Sequence, residues 1–383
     1  MLFQRHLAGA LALAAFASSA HAQVERVWLT HQSNDPSRIV VNWETATPAP
    51  SVVNYGLSAK YDRVATAEGT ATRHHVEIAI PEKDVVWHYS VGSGGHATAD
   101  ATFKGYPVEE LRVGIVGDWG FAKGSSRNFT ALKKDDIHLL ITAGDNVASL
   151  HQKGMEGVKA FAGLIDSDPE LFRSTPFMPI LGNHDKEVKP RGPKPPPEPV
   201  YDVEATAYRE FFALPGDEWK WHFDVPEFDL RFIATDIQHI SDIGNTWQTC
   251  HAIGADSEQF VWFRDLMGKS TQGYVFSLIN EKQSSLAGAT KGLWHEQFCK
   301  GSALITGFGY FAERAELDGG LPCFNTCLKG DGSPYKDPKS QFFKSEDNYL
   351  LLTFKKGEPT MTVQFKNLRG EVLDTRVIEK RKR

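Results

Sequence analysis

A chain of 383 residues has room for one or two domains and a sizeable core. Lysine and arginine total 42 against 48 aspartates and glutamates, a formal charge of −6. No long-range field therefore draws the chain to nucleic acid or acidic lipid. With 23% charged and 41% hydrophobic residues, the composition is that of an ordinary globular protein rather than a disordered or fibrous one.

Residues 1–22 read as a signal peptide. Arg5 and His6 precede a short apolar run, residues 7–16, and Ala20-His21-Ala22 fits a small-x-small cleavage site. That run is too short to cross a bilayer, and no later stretch reaches about 18 apolar residues, so no membrane span is expected. The mature chain is expected to begin near Gln23 and to be secreted or periplasmic. Export places Cys250, Cys299, Cys323 and Cys327 in an oxidising compartment, where two disulfides can form in three pairings. The spacing of Cys323 and Cys327 suits a local clip, which leaves Cys250 for Cys299. A zinc site is disfavoured because no second C-x-x-C and no nearby histidine accompany them.

Residues 23–106 are predicted as an all-β module. Residues 40–44, 51–55 and 85–91 alternate, and Pro48, Pro50, Gly56, Pro81 and the glycine cluster at 92–95 punctuate them. Short strands at this spacing predict a β-sandwich. The His74-His75 pair reads as an exposed strand or turn rather than a metal site, and Gly105-Tyr106-Pro107 as a junction. Beyond it, apolar strands (111–116, 137–143, 177–181, 230–234, 274–279 and 303–306) alternate with helix-like segments such as 154–164 and 207–212. That alternation predicts a layered α/β domain. Residues 349–378 alternate as antiparallel strands would. The proline-rich stretch 189–199 reads as extended polyproline, either a lid beside the site or a solvated insertion. The basic end, residues 380–383, reads as a solvated tail, and Asn128-Phe129-Thr130 is a glycosylation sequon.

Three strand ends carry the chemistry. They run into Gly117-Asp118-Trp119-Gly120, Gly144-Asp145-Asn146 and Gly182-Asn183-His184-Asp185. One Gly-Asp after a strand is usually only a turn. Three in order, separated by helical-length segments, predict a shared cation site at the carboxyl ends of the strands. Aspartate and asparagine are hard oxygen ligands, and one aspartate can bridge two cations about 3.5–4 Å apart to clamp a phosphoester. Asp118, Asp145 and Asn183 are the candidate ligands, with Asp145 as the bridge. His184 is the candidate to meet a phosphoryl oxygen or protonate the leaving group. Asp185 is the candidate to orient that imidazole.

On these residues the chain resembles the purple acid phosphatases within the calcineurin-like metallophosphoesterase superfamily, whose first motifs are G-D-x-G, G-D-x-x-Y and G-N-H-[ED]. Val41-Asn42-Trp43 with Val53-Asn54-Tyr55-Gly56 is similar to the family's fibronectin-like domain, and Gly370-Glu371-Val372-Leu373-Asp374 to its closing hairpin. The resemblance covers nearly all of residues 24–380. It implies a fibronectin type III-like β-sandwich over 23–106, a metallophosphoesterase domain over 107–383, and hydrolysis of phosphomonoesters at a two-metal centre.

The resemblance breaks late. Where the family has H-H-P or H-x-P, this chain has Asn280-Glu281-Lys282-Gln283. Its G-H-x-H falls on Gly307-Phe308-Gly309-Tyr310, and the tyrosine of the second motif falls on Ala148. No histidine follows His295. Of seven family ligands, only Asp118, Asp145 and Asn183 remain, an oxygen-only set that suits magnesium or calcium. Asn280, Glu281 or Glu313 are possible substitutes, as are His239, His251 or His295 from loops. Phe308 and Tyr310 are expected to project into the volume where the family holds its cations. The expectation is an exported phosphomonoester hydrolase with a degenerate centre, weak or altered activity and one divalent cation rather than two. The alternative is a non-catalytic relative that keeps the fold as a phosphate- or protein-binding module. A third reading, an adhesive β-module with a structural α/β partner, has only the sandwich behind it.

Overall fold

The computed structural model describes residues 23–92, 97–121, 129–150, 157–190, 194–332 and 335–382. Residues 1–22, read above as a signal peptide, Asn128 of the sequon, part of the glycine cluster and residues 191–193 of the proline-rich stretch lie outside the described residues.

Five antiparallel strands open the fold: β1 (Val24–Thr30), β2 (Arg38–Gly56), β3 (Arg63–Ala79), β4 (Val86–Val91) and β5 (Ala101–Lys104). Their order is β1-β2-β4-β5, with β3 also on β2. The stretches 40–44 and 51–55, expected as separate strands, are the two halves of one long β2. Pro48 and Pro50 are tolerated inside it because the ladder with β3 slips between Glu44 and Ala49 and again between Pro50 and Ser51. The first half pairs with β1 and the second with β4. Both halves feed one core, in which Val41, Trp43, Val53 and Tyr55 meet Trp87, Tyr89 and Phe103. The His74-His75 pair does lie on a strand, but not an exposed one. His74 is 1% exposed, stacks on Trp43 at 4.4 Å and is held by Ser51 and Thr45 at 2.8 and 3.0 Å. His75 bonds Asn42 at 2.7 Å. Packing accounts for both imidazoles.

The β-module is locked onto the α/β domain. Trp28 of β1 stacks flat on Phe211, 4.4 Å between centroids, and with Tyr106 belongs to the main core. At this seam His31 is fully buried, its Nδ1 at 2.7 Å from the Arg38 carbonyl and its Nε2 at 3.0 Å from the Tyr106 hydroxyl. A carbonyl only accepts, so Nδ1 carries the proton and Nε2 receives the phenol.

Two further sheets make the α/β domain. Parallel strands β6 (Glu110–Val116), β7 (Leu139–Thr142) and β8 (Phe177–Met178) come first, connected through α1 (Thr130–Lys134), α2 (Val158–Ser167) and α3 (Pro169–Ser174). Helix α3 starts where sequence logic puts it, with Asp168 accepting from the Leu171 amide and Pro169 in the first turn. After α4 (Thr206–Phe211) the chain builds a second sheet from β9 (Trp221–Val225), β10 (Leu230–Ala234), β11 (Tyr274–Ile279), β12 (Ala303–Thr306), β13 (Ala312–Glu316), β14 (Pro322–Asn325) and β15 (Ser340–Lys344). Its order is β15-β13-β14-β12-β11-β10-β9. Helices α5 (Glu258–Lys269), α6 (Gln283–Ala289) and α7 (Leu293–Phe298) connect its central strands. The chain returns to the first sheet as β16 (Asn348–Lys355), β17 (Thr360–Asn367) and β18 (Val372–Glu379), the antiparallel run read from residues 349–378.

Strand β11 is buried along its whole length because both its faces are covered. Phe276 and Leu278 join the core shared with the first sheet, while Val275 and Ile279 join Phe260, Phe263 and Trp294 under the helices. Layering two sheets in this way brings the carboxyl ends of β6 and β7 against those of β11 and β12.

The expected disulfides are absent: all four cysteines are free thiols. Cys323 lies on β14 in the helix-side core, and Cys327 lies two residues beyond its end. Four extended residues separate such Cα atoms by about 13 Å, beyond the reach of a disulfide. Cys250 is buried, whereas Cys299 is exposed beside His295, its Sγ 3.4 Å from Nε2.

Thiol accessibility and the buried imidazole each give a measurable outcome. In unreduced native protein a thiol reagent should modify Cys299 alone, and after denaturation all four; a total of two or fewer would restore the disulfides. Burial pushes the His31 imidazole down to about 4 from 6.5. Its contribution to stability is therefore present above pH 6.5 and is lost as pH falls from 6.5 through 4, on the order of 3 kcal/mol. Urea unfolding of wild type and His31→Gln across that window should show a shallower pH slope in the variant.

Candidate functional site

Each strand end contributes one turn, and backbone bonds tie the turns together. Asp118 donates its amide to the Gly144 carbonyl at 3.2 Å, and Gly120 donates to the Asp145 carbonyl at 3.0 Å. The His184 amide donates to Asp145 Oδ1 at 3.1 Å. Gly182 is required where it stands, since a Cβ there would lie 2.1 Å from Asp145 Oδ1. Asp118, Asp145 and Asn183 are thus brought to one buried place, at 2%, 6% and 6% exposure. Asp118 and Asp145 adopt left-handed backbone, φ 51° and 54°, a conformation that non-glycine residues take at a cost.

The electrostatics are unbalanced. Burial, and next the neighbouring Asp145 charge, hold the Asp118 carboxyl well above the usual carboxylate range. The Cys327 thiol beside it acts in the opposite direction, yet Asp118 Oδ2 is buried without a hydrogen-bond partner. An orphaned buried oxygen of this kind needs explaining, and an oxygen-coordinated cation would satisfy it.

Asp185 has a different role from the one expected. Its Oδ2 accepts from the Gly182 amide and the Asn146 side chain, both at 2.8 Å, and its Oδ1 from the Val147 amide at 3.2 Å. It ties the second turn to the third. The imidazole of His184 is oriented by a backbone carbonyl instead, with Nδ1 2.7 Å from Ala148 O. Nδ1 therefore carries a proton, and Nε2 is the nitrogen directed away from that contact.

The side chains that follow β11 and β12 are engaged with other partners. Asn280 is 4% exposed and donates both amide protons to carbonyls, Ala143 at 2.7 Å and Gly307 at 2.6 Å. Those carbonyls belong to strand ends of different sheets, so the amide stitches the sheets together. Phe308 is fixed by Asn325, which accepts from the Phe308 amide at 2.9 Å and donates to its carbonyl at 2.7 Å. Burial, and then the charges of Asp118 and Asp145, push the Tyr310 phenol upward. Glu281 caps Ile240 and Lys282 amides, and Glu313 accepts from Asp337. His251 is stacked on Trp219 at 3.6 Å and bonded to Asp236 at 2.7 Å, His295 bonds Gln283 and the Asp318 carbonyl, and His239 faces Asp242. Among the described residues, no group of three or more His, Cys, Asp or Glu side chains is placed to hold a metal ion. The donor set does not fit a two-metal centre.

Two features escape the sequence. Cys327 reads there as a disulfide partner, although its place just past an apolar run resembles that of Asp118. The network in which buried Lys186 bonds Asp236 at 2.7 Å gives no local signal. There Lys186 and His251 outweigh burial and keep Asp236 low.

Residues 111–279 match the calcineurin-like phosphoesterase family. The match begins at β6, ends with β11, and stops one residue short of Asn280. A solved purple acid phosphatase, PPD1 from yellow lupin (Lupinus luteus) seeds, is 13% identical with a TM-score of 0.70, covering 93% of this chain and 74% of that one. The structure of PhoD is 13% identical with a TM-score of 0.66, covering 93% and 88%. GAP50, the anchor in the inner membrane complex of Plasmodium, is 16% identical with a TM-score of 0.50, covering 72% and 90%. No curated protein matches the sequence. The chain has the fold of a purple acid phosphatase-like metallophosphoesterase, and residues 111–279 carry the calcineurin-like phosphoesterase domain of that class.

Replacing Asn280 by alanine or histidine should destabilise the protein by roughly 2–5 kcal/mol, because two buried carbonyls lose their donor. Urea unfolding in the presence of a chelator measures this; unchanged stability would mean that the stitch between the sheets is dispensable.

Proposed function

We propose that the protein is an exported phosphoester hydrolase of the metallophosphoesterase kind, working slowly at a reduced centre made of Asp118, Asp145 and Asn183 with His184 beside it. The observation that carries this reading is the strained, buried Asp118–Asp145 pair with Asp118 Oδ2 left unpartnered. Strain and an unsatisfied buried oxygen are costs that persist where a ligand offsets them. One oxygen-coordinated cation suits the donors present, and when bound it would supply Lewis-acid polarisation of a phosphoryl oxygen. His184, with Nδ1 fixed on Ala148, offers Nε2 as the proton carrier to the leaving oxygen. Asp185 serves as a positioning residue, holding the Asn183-bearing turn against Asn146 and Val147.

A second reading has its own support. The engagement of Asn280 with two carbonyls, together with Phe308 in place of an imidazole, favours a non-catalytic module that keeps phosphate or protein binding. GAP50, named as an anchor, shares the fold at 16% identity. Hydrolysis of glycerol 2-phosphate with magnesium, calcium, manganese or zinc, alongside metal analysis, separates the two. The hydrolase reading expects slow turnover that a chelator removes and that Asp145→Ala abolishes, with His184→Ala about 10²-fold slower or worse. No turnover with any cation passes the protein to the second reading, and rapid zinc- or iron-dependent turnover would contradict the reduced centre.

A further inference from the structure

Helix α7 ends on an imidazole and a thiol that share one face. His295 and Cys299 are four residues apart, and Cys299 keeps helical backbone as the cap, so both side chains project from the same side of the last turn. The turn that follows β13 closes over them. His295 Nε2 lies 3.0 Å from the Asp318 carbonyl oxygen and 3.4 Å from Cys299 Sγ, and Sγ lies 3.5 Å from that same oxygen. A nitrogen, a sulfur and an oxygen are thus mutual neighbours. Behind the ring, Gln283 Nε2 stands 3.1 Å from Nδ1. Gly319, at φ 75°, lets the turn press against the thiol, since a Cβ there would lie 3.1 Å from Sγ. His295 and Asp318 also line an open cleft with Ser284, Lys291 and Asp337, and Cys299 is exposed, so the donors are reachable from solvent.

We propose that His295, Cys299 and the Asp318 carbonyl form a binding site for a borderline-soft divalent cation such as zinc, sharing no residue with the Asp118–Asp145 centre. The three separations carry it. Ligands of a tetrahedral zinc ion stand about 3.3–3.6 Å apart, because metal–nitrogen, metal–oxygen and metal–sulfur distances are about 2.0–2.3 Å. Donors spaced as these are leave a point roughly 2.0–2.3 Å from all three, just off the plane through them. Imidazole with thiolate selects zinc over magnesium or calcium. Water, or the exposed Asp318 carboxylate that pairs with Lys339, completes the shell. Binding releases the thiol proton to solvent. It also moves the imidazole proton. In the free protein Nε2–H donates to the carbonyl; on the metal that proton sits at Nδ1, where the turned Gln283 amide accepts it through Oε1. The sequence disfavours zinc for want of a nearby histidine, which holds for Cys323 and Cys327 but fails for Cys299, four residues after His295.

The test uses the full mature chain, with zinc, a thiol reagent, and cobalt(II) as a spectroscopic stand-in for zinc. With zinc at about ten times its dissociation constant, modification of the exposed thiol in native wild type should slow about 10-fold, following the fraction left free. Cobalt should give a thiolate-to-metal absorption band, which oxygen donors alone cannot produce. Cys299→Ser should lose the band, and His295→Ala should weaken zinc binding by about 100-fold or more. Gln283→Ala should weaken it by about 10-fold, because the ring loses the partner that sets its tautomer. Asp145→Ala should change none of these readings, which keeps the site separate from the proposed hydrolase centre. Zinc that leaves the thiol as reactive as before overturns the site, as does protection that survives His295→Ala. A band that persists in Cys299→Ser puts the cation at another thiol and overturns it too.

Discussion

The arrangement depends on one amide. Where β7 and β12 end, the Ala143 and Gly307 carbonyls face the same buried point, and the backbones come so close that a Cβ on Gly307 would lie 2.4 Å from Ala143 O. Two unpaired carbonyls there would cost about 1–3 kcal/mol each. Asn280 has two amide protons and gives one to each. The bond pair joins the two sheets where Asp118 and Asp145 are buried, so their surroundings are built by protein contacts.

The molecule handles buried carboxylates in three ways. Asp236 is compensated internally by Lys186 and His251 and stays ionised. Asp185 is surrounded by three donors, although burial and then Asp145 still raise its carboxyl. Asp118 has a thiol neighbour and a like charge, and one oxygen with no partner. A fold that can build the first two kinds of environment leaves the third open at the place where three strand-end turns converge, and this asymmetry gives the centre its functional interest. The match to the calcineurin-like phosphoesterase family ends at residue 279, before Asn280, Phe308 and Tyr310.

Much of the first sheet's contribution is legible because its signals are local. An apolar run ending in glycine and then aspartate or asparagine fixes a strand, its end and the polar group displayed there. Residues 111–116, 137–143 and 177–181 all conform, although only Phe177–Met178 of the last is laddered. The α/β alternation and the closing antiparallel strands are readable for the same reason. Long β2 reads as two strands because prolines break the local pattern, while its continuity comes from a slipped ladder with β3. The thiols mislead because spacing of four residues says nothing about direction, and an extended β14 carries Cys323 and Cys327 apart. Asp185 misleads because adjacency to His184 is not contact: a tight turn points neighbouring side chains to different partners.

The amino-acid sequence by itself determined the class of fold, the order of its elements and the three turns that present Asp118, Asp145 and Asn183, since hydrophobic period and glycine placement act over a few residues. Only the tertiary structure decided what those groups meet. Asn280 lies 137 residues from Ala143, and its amide finds that carbonyl only when two sheets are layered. Cys327 becomes the neighbour of Asp118 through the parallel pairing of β12 with β14. Charge balance, hydrogen-bond satisfaction and access are properties of such long-range contacts, and no local pattern encodes them.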